Sequence, residues 1–375
     1  MFHQPQKYLS FLTWISFLLF STLLFSLTPL VHINFAPRLL SCARATLLIL
    51  CILTLSIAFF NSIIKNTRLH AFVRNLALVV YALLLFFFIL EGVFMFIPQS
   101  HRYAMSLASK RWMDYYWKPI NQFGFRGRDI ALDDLARKKR IFFLGDSFTT
   151  GYGINNIKDR FSDILESKLS KNYCLLNLGV NGADTRSELA LYYKFPIKPH
   201  LLIYQYYGND IDNVAFTTGK SFNGNVPYKD VPGILKPLVQ NSYLLDFIYW
   251  QLPHGNSDEF VQFLVDTFQD PEILSAHLYD IKRILLLSQE RSIPVVVVLF
   301  PFLTDPQKSL FYTTLLKNFF DSQKIPVVNV DELIQDIPLE QRVVNKTDLH
   351  PSALVHKRVA EELYKTLVRL NYITE

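Results

Sequence analysis

Three apolar windows fill most of the first hundred residues, at about 8–31, 45–64 and 75–97. Each exceeds the roughly 18 residues that mark a helix able to span a bilayer. A helix buried in a soluble core keeps a charged face, and these windows have none, so three transmembrane helices are expected. A cleaved signal peptide fits the first window poorly. Its apolar stretch is too long, only Lys7 precedes it, and no small-residue cleavage site follows. Lys7 together with Lys65, Arg68 and Arg74 outnumbers Arg38 and Arg44 of the first loop, which predicts an N-terminus inside and the domain after the third helix outside. Arg102, Lys110 and Arg111 argue the other way, but long domains translocate largely regardless of charge. Glu91 is the one ionisable residue within the windows, and it is expected near an interface or paired between helices.

Charge divides the chain in the same place. Residues 1–100 hold six basic residues and one acidic one, leaving 32 basic and 31 acidic residues in the other 275. The basic balance thus belongs to the apolar part, and no electrostatic footprint for nucleic acid is present. A chain of 375 residues is long enough for two units with their own cores. Cys42, Cys51 and Cys174 form no disulfide framework that would report a compartment.

From residue 139 short apolar runs alternate with amphipathic stretches. The runs are 140–145, 173–179, 201–207, 293–300 and 325–330, rich in β-branched and aromatic residues, as strands buried on both faces of a parallel sheet are. Helices are predicted near 160–171, 187–195, 276–291, 307–322 and 353–370. The alternation predicts a doubly wound α/β domain with five parallel strands. The expected division is an anchor over 1–100, a connector over 101–138 and a catalytic domain over 139–375. An insertion at about 212–272 lacks any strand pattern and is long enough to be functional. It is read as a lid or substrate wall with Phe247, Tyr249 and Trp250 near the cleft or the membrane surface, or else as simple packing against the domain.

In such sheets the active site lies beyond the carboxyl ends of the strands. Polar clusters stand just past the first three runs: "GDS" at 145–147, "GVNGADT" at 179–185 and "GND" at 208–210. A fourth, "TDLHPS" at 347–352, precedes the last helix. Taken singly, the second could merely cap a helix and the third form an ordinary turn. Together and in this order they supply what acyl transfer needs. Ser147 is the candidate nucleophile, His350 its base and Asp348 the group that orients the base. The backbone N–H groups of Ser147 and Gly182, with the side-chain amide of Asn209, are candidate donors to the oxyanion. Asp210 is expected to support the Asn209 turn. His356 is expected at the exposed start of the final helix and is not the base. Arg126 is a candidate for binding a substrate carboxylate or phosphate, its alternative being a structural salt bridge at the sheet edge.

The stretches "FLGDSFTTGYG", "NLGVNGADT", "YYGND" and "DLHPS" resemble, in order, the four signature blocks of the SGNH (GDSL-like) hydrolase superfamily. The likeness covers about 120–370, and "NQFGFRGRD" at 121–129 is similar to the lead-in of membrane-anchored bacterial members. It implies an α/β/α fold with Ser147, Gly182, Asn209 and His350 as the four namesake residues, and no metal or organic cofactor. The commoner pattern of the family places the acid three residues before the His, where this chain has Thr347. Asp348, two before it, still points the same way as His350 in an extended segment.

The expected function is a serine esterase or O-acyltransferase acting on acetyl or other short acyl groups of an extracytoplasmic glycan. Alternatives are a lysophospholipase or thioesterase at the membrane surface, and a non-catalytic scaffold on the same fold. The expected partners are an acylated glycan or lipid substrate and the membrane itself, with the chain integral to a bacterial inner membrane and its catalytic domain periplasmic or extracellular. The "NKT" sequon at 345–347 adjoins the candidate base, where a glycan would obstruct the cleft. Three helices are too few for a self-contained acyl-donor channel, which leaves room for a membrane partner that the sequence does not name.

Overall fold

The computed structural model describes residues 67–101, 106–222, 228–252 and 257–374. The chain divides into two compact units, one of residues 1–97 with 230–249 and the other of residues 98–229 with 250–375. In the first unit, α1 spans Thr67–Met95 and exposes Phe72, Leu76, Val79, Leu83, Phe86, Ile89 and Val93. It contains all but the last two residues of the third apolar window. Among the described residues no helix is long and apolar enough to cross a membrane, and the first two windows lie outside the described residues. The expectation of three spans therefore has no support in the described helices.

Glu91 on α1 is buried, and its carboxylate accepts hydrogen bonds from Ser242 Oγ at 2.7 Å, Tyr243 N at 2.5 Å and Leu244 N at 3.1 Å. The first N–H groups of a helix have no partner within it, and a carboxylate there also meets the positive end of the dipole. Glu91 thus supplies that partner to the helix Tyr243–Gln251 from a distant part of the sequence.

The second unit is built on five parallel strands: β1 (Lys139–Leu144), β2 (Tyr173–Asn177), β3 (Leu201–Tyr206), β4 (Val295–Leu299) and β5 (Val327–Asn329). They lie in the order β2-β1-β3-β4-β5. A short antiparallel pair, β6 (Val343–Asn345) and β7 (Asp348–Pro351), stands apart. Successive side chains of a strand point to opposite faces, so a buried sheet builds two cores at once. Phe142, Leu144, Val295, Val297 and Leu299 join the core on one face, with Tyr192, Ile281, Ile284 and Leu316. Ile141, Phe143, Val296 and Val298 join the other, with Phe161, Leu165, Val355, Val359 and Leu363. Each fully buried aliphatic or phenyl side chain of this kind contributes about 1.5–3 kcal/mol.

The flanking helices that bear on the site are α2 (Leu107–Tyr116), α3 (Ser147–Thr150), α4 (Phe161–Lys168), α5 (Thr185–Lys194), α6 (Ser257–Gln269), α7 (Pro271–Glu290), α8 (Leu310–Ser322) and α9 (Ala353–Arg369). The five predicted strands and five predicted helices all form, with shifted ends. The helix expected from 276 begins five residues earlier because Asp270 caps it and Pro271 fits its first turn. Between Asp212 and Gln269 the regular elements among the described residues are helices, joined by turns. In the observed strand order β1 and β3 are neighbours whose chain connections run off in opposite directions. This switch point is where a doubly wound sheet opens a crevice.

Candidate active site

β1 delivers the chain to Gly145, Asp146 and the first residue of α3, Ser147. Asp146 accepts a hydrogen bond from Phe148 N at 2.8 Å, which satisfies one of the helix's open donors. Gln205 of β3 ties the turn to the sheet, its Oε1 accepting from Asp146 N at 3.1 Å and Thr149 Oγ1 at 2.8 Å. Four of the carbonyls that follow are held by side chains. Asn177 Nδ2 donates to Thr149 O at 2.6 Å and Arg160 Nη1 to Thr150 O at 3.1 Å. Arg126 donates to Gly151 O and to Ile154 O, both at 2.5 Å. The segment carrying Ser147 is thereby fixed from below by buried donors.

His350 Nε2 lies 2.8 Å from Ser147 Oγ, and His350 Nδ1 lies 2.5 Å from Asp348 Oδ1. Asp348 and His350 share one face of β7, as their spacing in an extended segment requires. Burial works to raise the Asp348 carboxyl, but the neighbouring His350 charge and its hydrogen bonds outweigh this and hold it below the usual range. The imidazole rests against Tyr152, with ring centres 4.9 Å apart, and against Phe148 at 5.4 Å.

Ser147, Gly182, Asn209 and His350 line one cavity of about 490 Å³. Gly182 adopts φ +70°, the left-handed region that favours glycine, and the space beside its Cα is open. Asn209 sits in a 3-10 turn, Gly208–Ile211, where Asp210 Oδ2 accepts from Tyr207 N at 3.0 Å, so Asp210 does support that turn. Asp184 caps α5, and this role coexists with Gly182 at the cavity. The far wall is apolar, formed by Phe260, Val261, Phe302 and Leu303, and an ion pair between Asp258 and Lys308 of 2.8 Å also lines it. A hydroxyl paired to an imidazole that is itself paired to a carboxylate, opening into such a cavity, is an arrangement able to perform acyl transfer.

Behind the site lies a set of buried carboxyls, Asp146, Glu188 and Asp210, of which sequence reasoning singled out only Asp210. Burial raises Asp146 to about 6. Burial, then the charges of Asp146 and Asp184, push Glu188 well above the ordinary range, and burial with Glu188 and Asp146 does the same to Asp210. Both Glu188 oxygens are buried without a hydrogen-bond partner. Among the described residues no group of three or more His, Cys, Asp or Glu is placed to hold a metal ion.

Three expectations are corrected. Arg126 is 2% exposed and donates to backbone carbonyls, with Trp112 and Trp117 against its guanidinium, in place of the expected salt bridge. Burial, then the nearby Arg160, lowers it to about 9. His356 is fully buried rather than exposed; its Nδ1 accepts from Phe161 N at 3.2 Å, and burial lowers it to about 3. Of the insertion's aromatics, Trp250 packs on His101 and Tyr228, and Phe247 on Phe94. The insertion reaches the cavity through Asp258, Phe260 and Val261 of α6 instead. The amphipathic pattern of α6 was the available signal for this.

No protein-family model matches the chain, and no curated protein does. Solved structures similar to it include a member of the lipolytic protein G-D-S-L family from Veillonella parvula, at 15% identity and a TM-score of 0.35, covering 61% of this chain and 98% of that one. A carbohydrate acetylesterase family member from Sinorhizobium meliloti has 14% identity and a TM-score of 0.36, covering 62% and 98%. The lipase Lip_vut3 from a goat rumen metagenome has 15% identity and a TM-score of 0.40, covering 60% and 96%.

Proposed function

We propose that this chain is a serine hydrolase of carboxylic esters, working through Ser147, His350 and Asp348. The observation that carries the reading is the 2.8 Å approach of His350 Nε2 to Ser147 Oγ, with Asp348 behind it. Ser147 Oγ attacks the ester carbonyl while His350 Nε2 takes the hydroxyl proton. The electron pair of the C=O moves to the oxygen, which the N–H groups of Ser147 and Gly182 and the amide of Asn209 receive. Collapse of the tetrahedral species expels the alkoxide, which leaves with the proton from His350. Water then repeats the sequence on the acyl-enzyme, or a sugar hydroxyl does so in the transferase form of the reaction.

The preferred substrate is a short acyl ester of an extracytoplasmic glycan, met by a catalytic domain held at a bacterial membrane. The undescribed apolar windows and the apolar residues exposed along α1 support the membrane part of this reading. A second reading, a lysophospholipase or thioesterase drawing on membrane lipid, is favoured by one observation: the apolar wall of Phe260, Val261, Phe302 and Leu303.

The test is labelling of the full-length protein with a fluorophosphonate probe, comparing wild type with Ser147→Ala and His350→Ala. Labelling of wild type alone supports the reading. Folded wild type that fails to label sinks it and leaves a binding scaffold. Activity on esters of increasing acyl length then separates the glycan reading from the lipid one.

A further inference from the structure

Ser100 belongs to none of the sequence motifs, yet it lies beside the acid of the site. The last residues before the connector meet the β6–β7 hairpin at this point. Gln99 Nε2 donates to Thr347 Oγ1 at 3.4 Å, and Asn345 Nδ2 donates to Ser100 O at 3.2 Å. Ser100 is 2% exposed and Asp348 is fully buried. Ser100 Oγ and Asp348 Oδ2 are both buried polar atoms without a hydrogen bond of ordinary geometry, whereas Asp348 Oδ1 is committed to His350. Gly153 also packs close to this oxygen, since a Cβ there would come within 2.8 Å of Oδ2. A serine hydroxyl turns about its Cβ–Oγ bond and can aim its proton at a neighbouring lone pair. Against the upward push of burial, the charge and hydrogen bond of His350 and then Ser100 hold the Asp348 carboxyl low, which agrees with the hydroxyl lying beside it.

We infer that Ser100 is a positioning residue of the active site, whose hydroxyl donates to Asp348 Oδ2 and so turns Oδ1 toward His350. The inference rests on the reading of Ser147, His350 and Asp348 as a catalytic set. It means that the site is complete only with the chain just before the connector in place, and that a catalytic domain begun at residue 139 lacks one of its parts. The titratable groups that face the pair are Tyr152, whose phenol senses the Asp348 charge, and Asp146 and His356, which sense His350.

The experiment measures kcat/KM against pH for full-length wild type, Ser100→Ala, Ser100→Thr and Ser147→Ala on a short p-nitrophenyl ester. Losing one hydrogen-bond donor to a charged partner predicts a fall of about ten-fold in Ser100→Ala. The acidic limb of its profile moves to higher pH, because a carboxylate stripped of its second donor holds the imidazolium proton more firmly. Ser100→Thr, which keeps the hydroxyl, retains both the rate and the limb. A Ser100→Ala profile that superimposes on wild type overturns the inference, and so does a Ser100→Thr variant as impaired as Ser100→Ala. Ser147→Ala matching wild type would instead overturn the reading beneath it.

Discussion

Asp348 and His350 sit two positions apart on β7 and meet side by side, Oδ1 to Nδ1 at 2.5 Å. A strand fixes this pairing more rigidly than two separate loops would, because both side chains leave the same face of one extended backbone. The imidazole therefore presents Nε2 to Ser147 without a separate element to adjust.

Asp348→Asn keeps the shape but offers Nδ1 an amide in place of an acceptor, so the ring takes the wrong tautomer. Its kcat is expected to fall about 10,000-fold, with the fold retained. Steady-state rates and circular dichroism measured together check this.

Arg126 holds three carbonyls at once, those of Tyr116, Gly151 and Ile154. A lysine has no planar fork to replace it. Arg126→Lys is expected to cost about 3 kcal/mol of stability, the scale of losing one or two hydrogen bonds from a charged donor. Because the released segment carries Ser147, kcat falls more than KM rises. Urea unfolding and steady-state kinetics read the two effects.

A Cβ added at Gly179 would lie 2.4 Å from Thr150 N and 2.8 Å from Thr149 C. Backbone cannot swing aside as the end of a side chain can. Gly179→Ala is expected to destabilise by about 1–3 kcal/mol and to push α3 off the histidine. Fluorophosphonate labelling slows even where the variant is folded, and a thermal melt run in parallel gives the stability term.

The Glu188 carboxyl is buried, unpartnered and raised well above its ordinary range. Below pH 4.5, the ordinary value, folded and unfolded chains both carry the proton and the site costs nothing through ionisation. Above it the unfolded chain ionises first and gains about 1.4 kcal/mol per pH unit, up to the raised value in the folded state. Glu188→Gln has no such loss. Its stability relative to wild type is expected to climb from pH 4.5 upward, read from denaturant midpoints at pH 4, 6 and 8; a difference that does not change with pH contradicts the assignment.

The sheet was legible in the sequence because its strands are buried on both faces, which writes continuous apolar runs such as "VVVV" at 295–298. Ser147, Gly182, Asn209 and His350 were legible because each follows a strand or precedes the last helix. His356 was misread because the first turn of a helix says nothing about which way its side chains face. Here α9 turns that residue inward onto Phe161. Arg126 was misread because a charged side chain whose partners are backbone carbonyls leaves no complementary residue to find. Ser100 and Glu91 meet groups more than a hundred positions away, a relation that no local pattern records.

The carboxylate of Glu91 and the N–H groups it receives are separated by about 150 positions of chain. During synthesis the acid therefore leaves the ribosome well before its donors exist, and a carboxyl that later becomes buried must wait among water or other proteins. Recombination meets the same restriction. An exchange that replaced residues 230–249 with a foreign loop would strand a charge in the first unit, and one that replaced α1 would leave a helix end without its cap. The two stretches are thus bound to be inherited together, although the whole nucleophile turn is encoded between them.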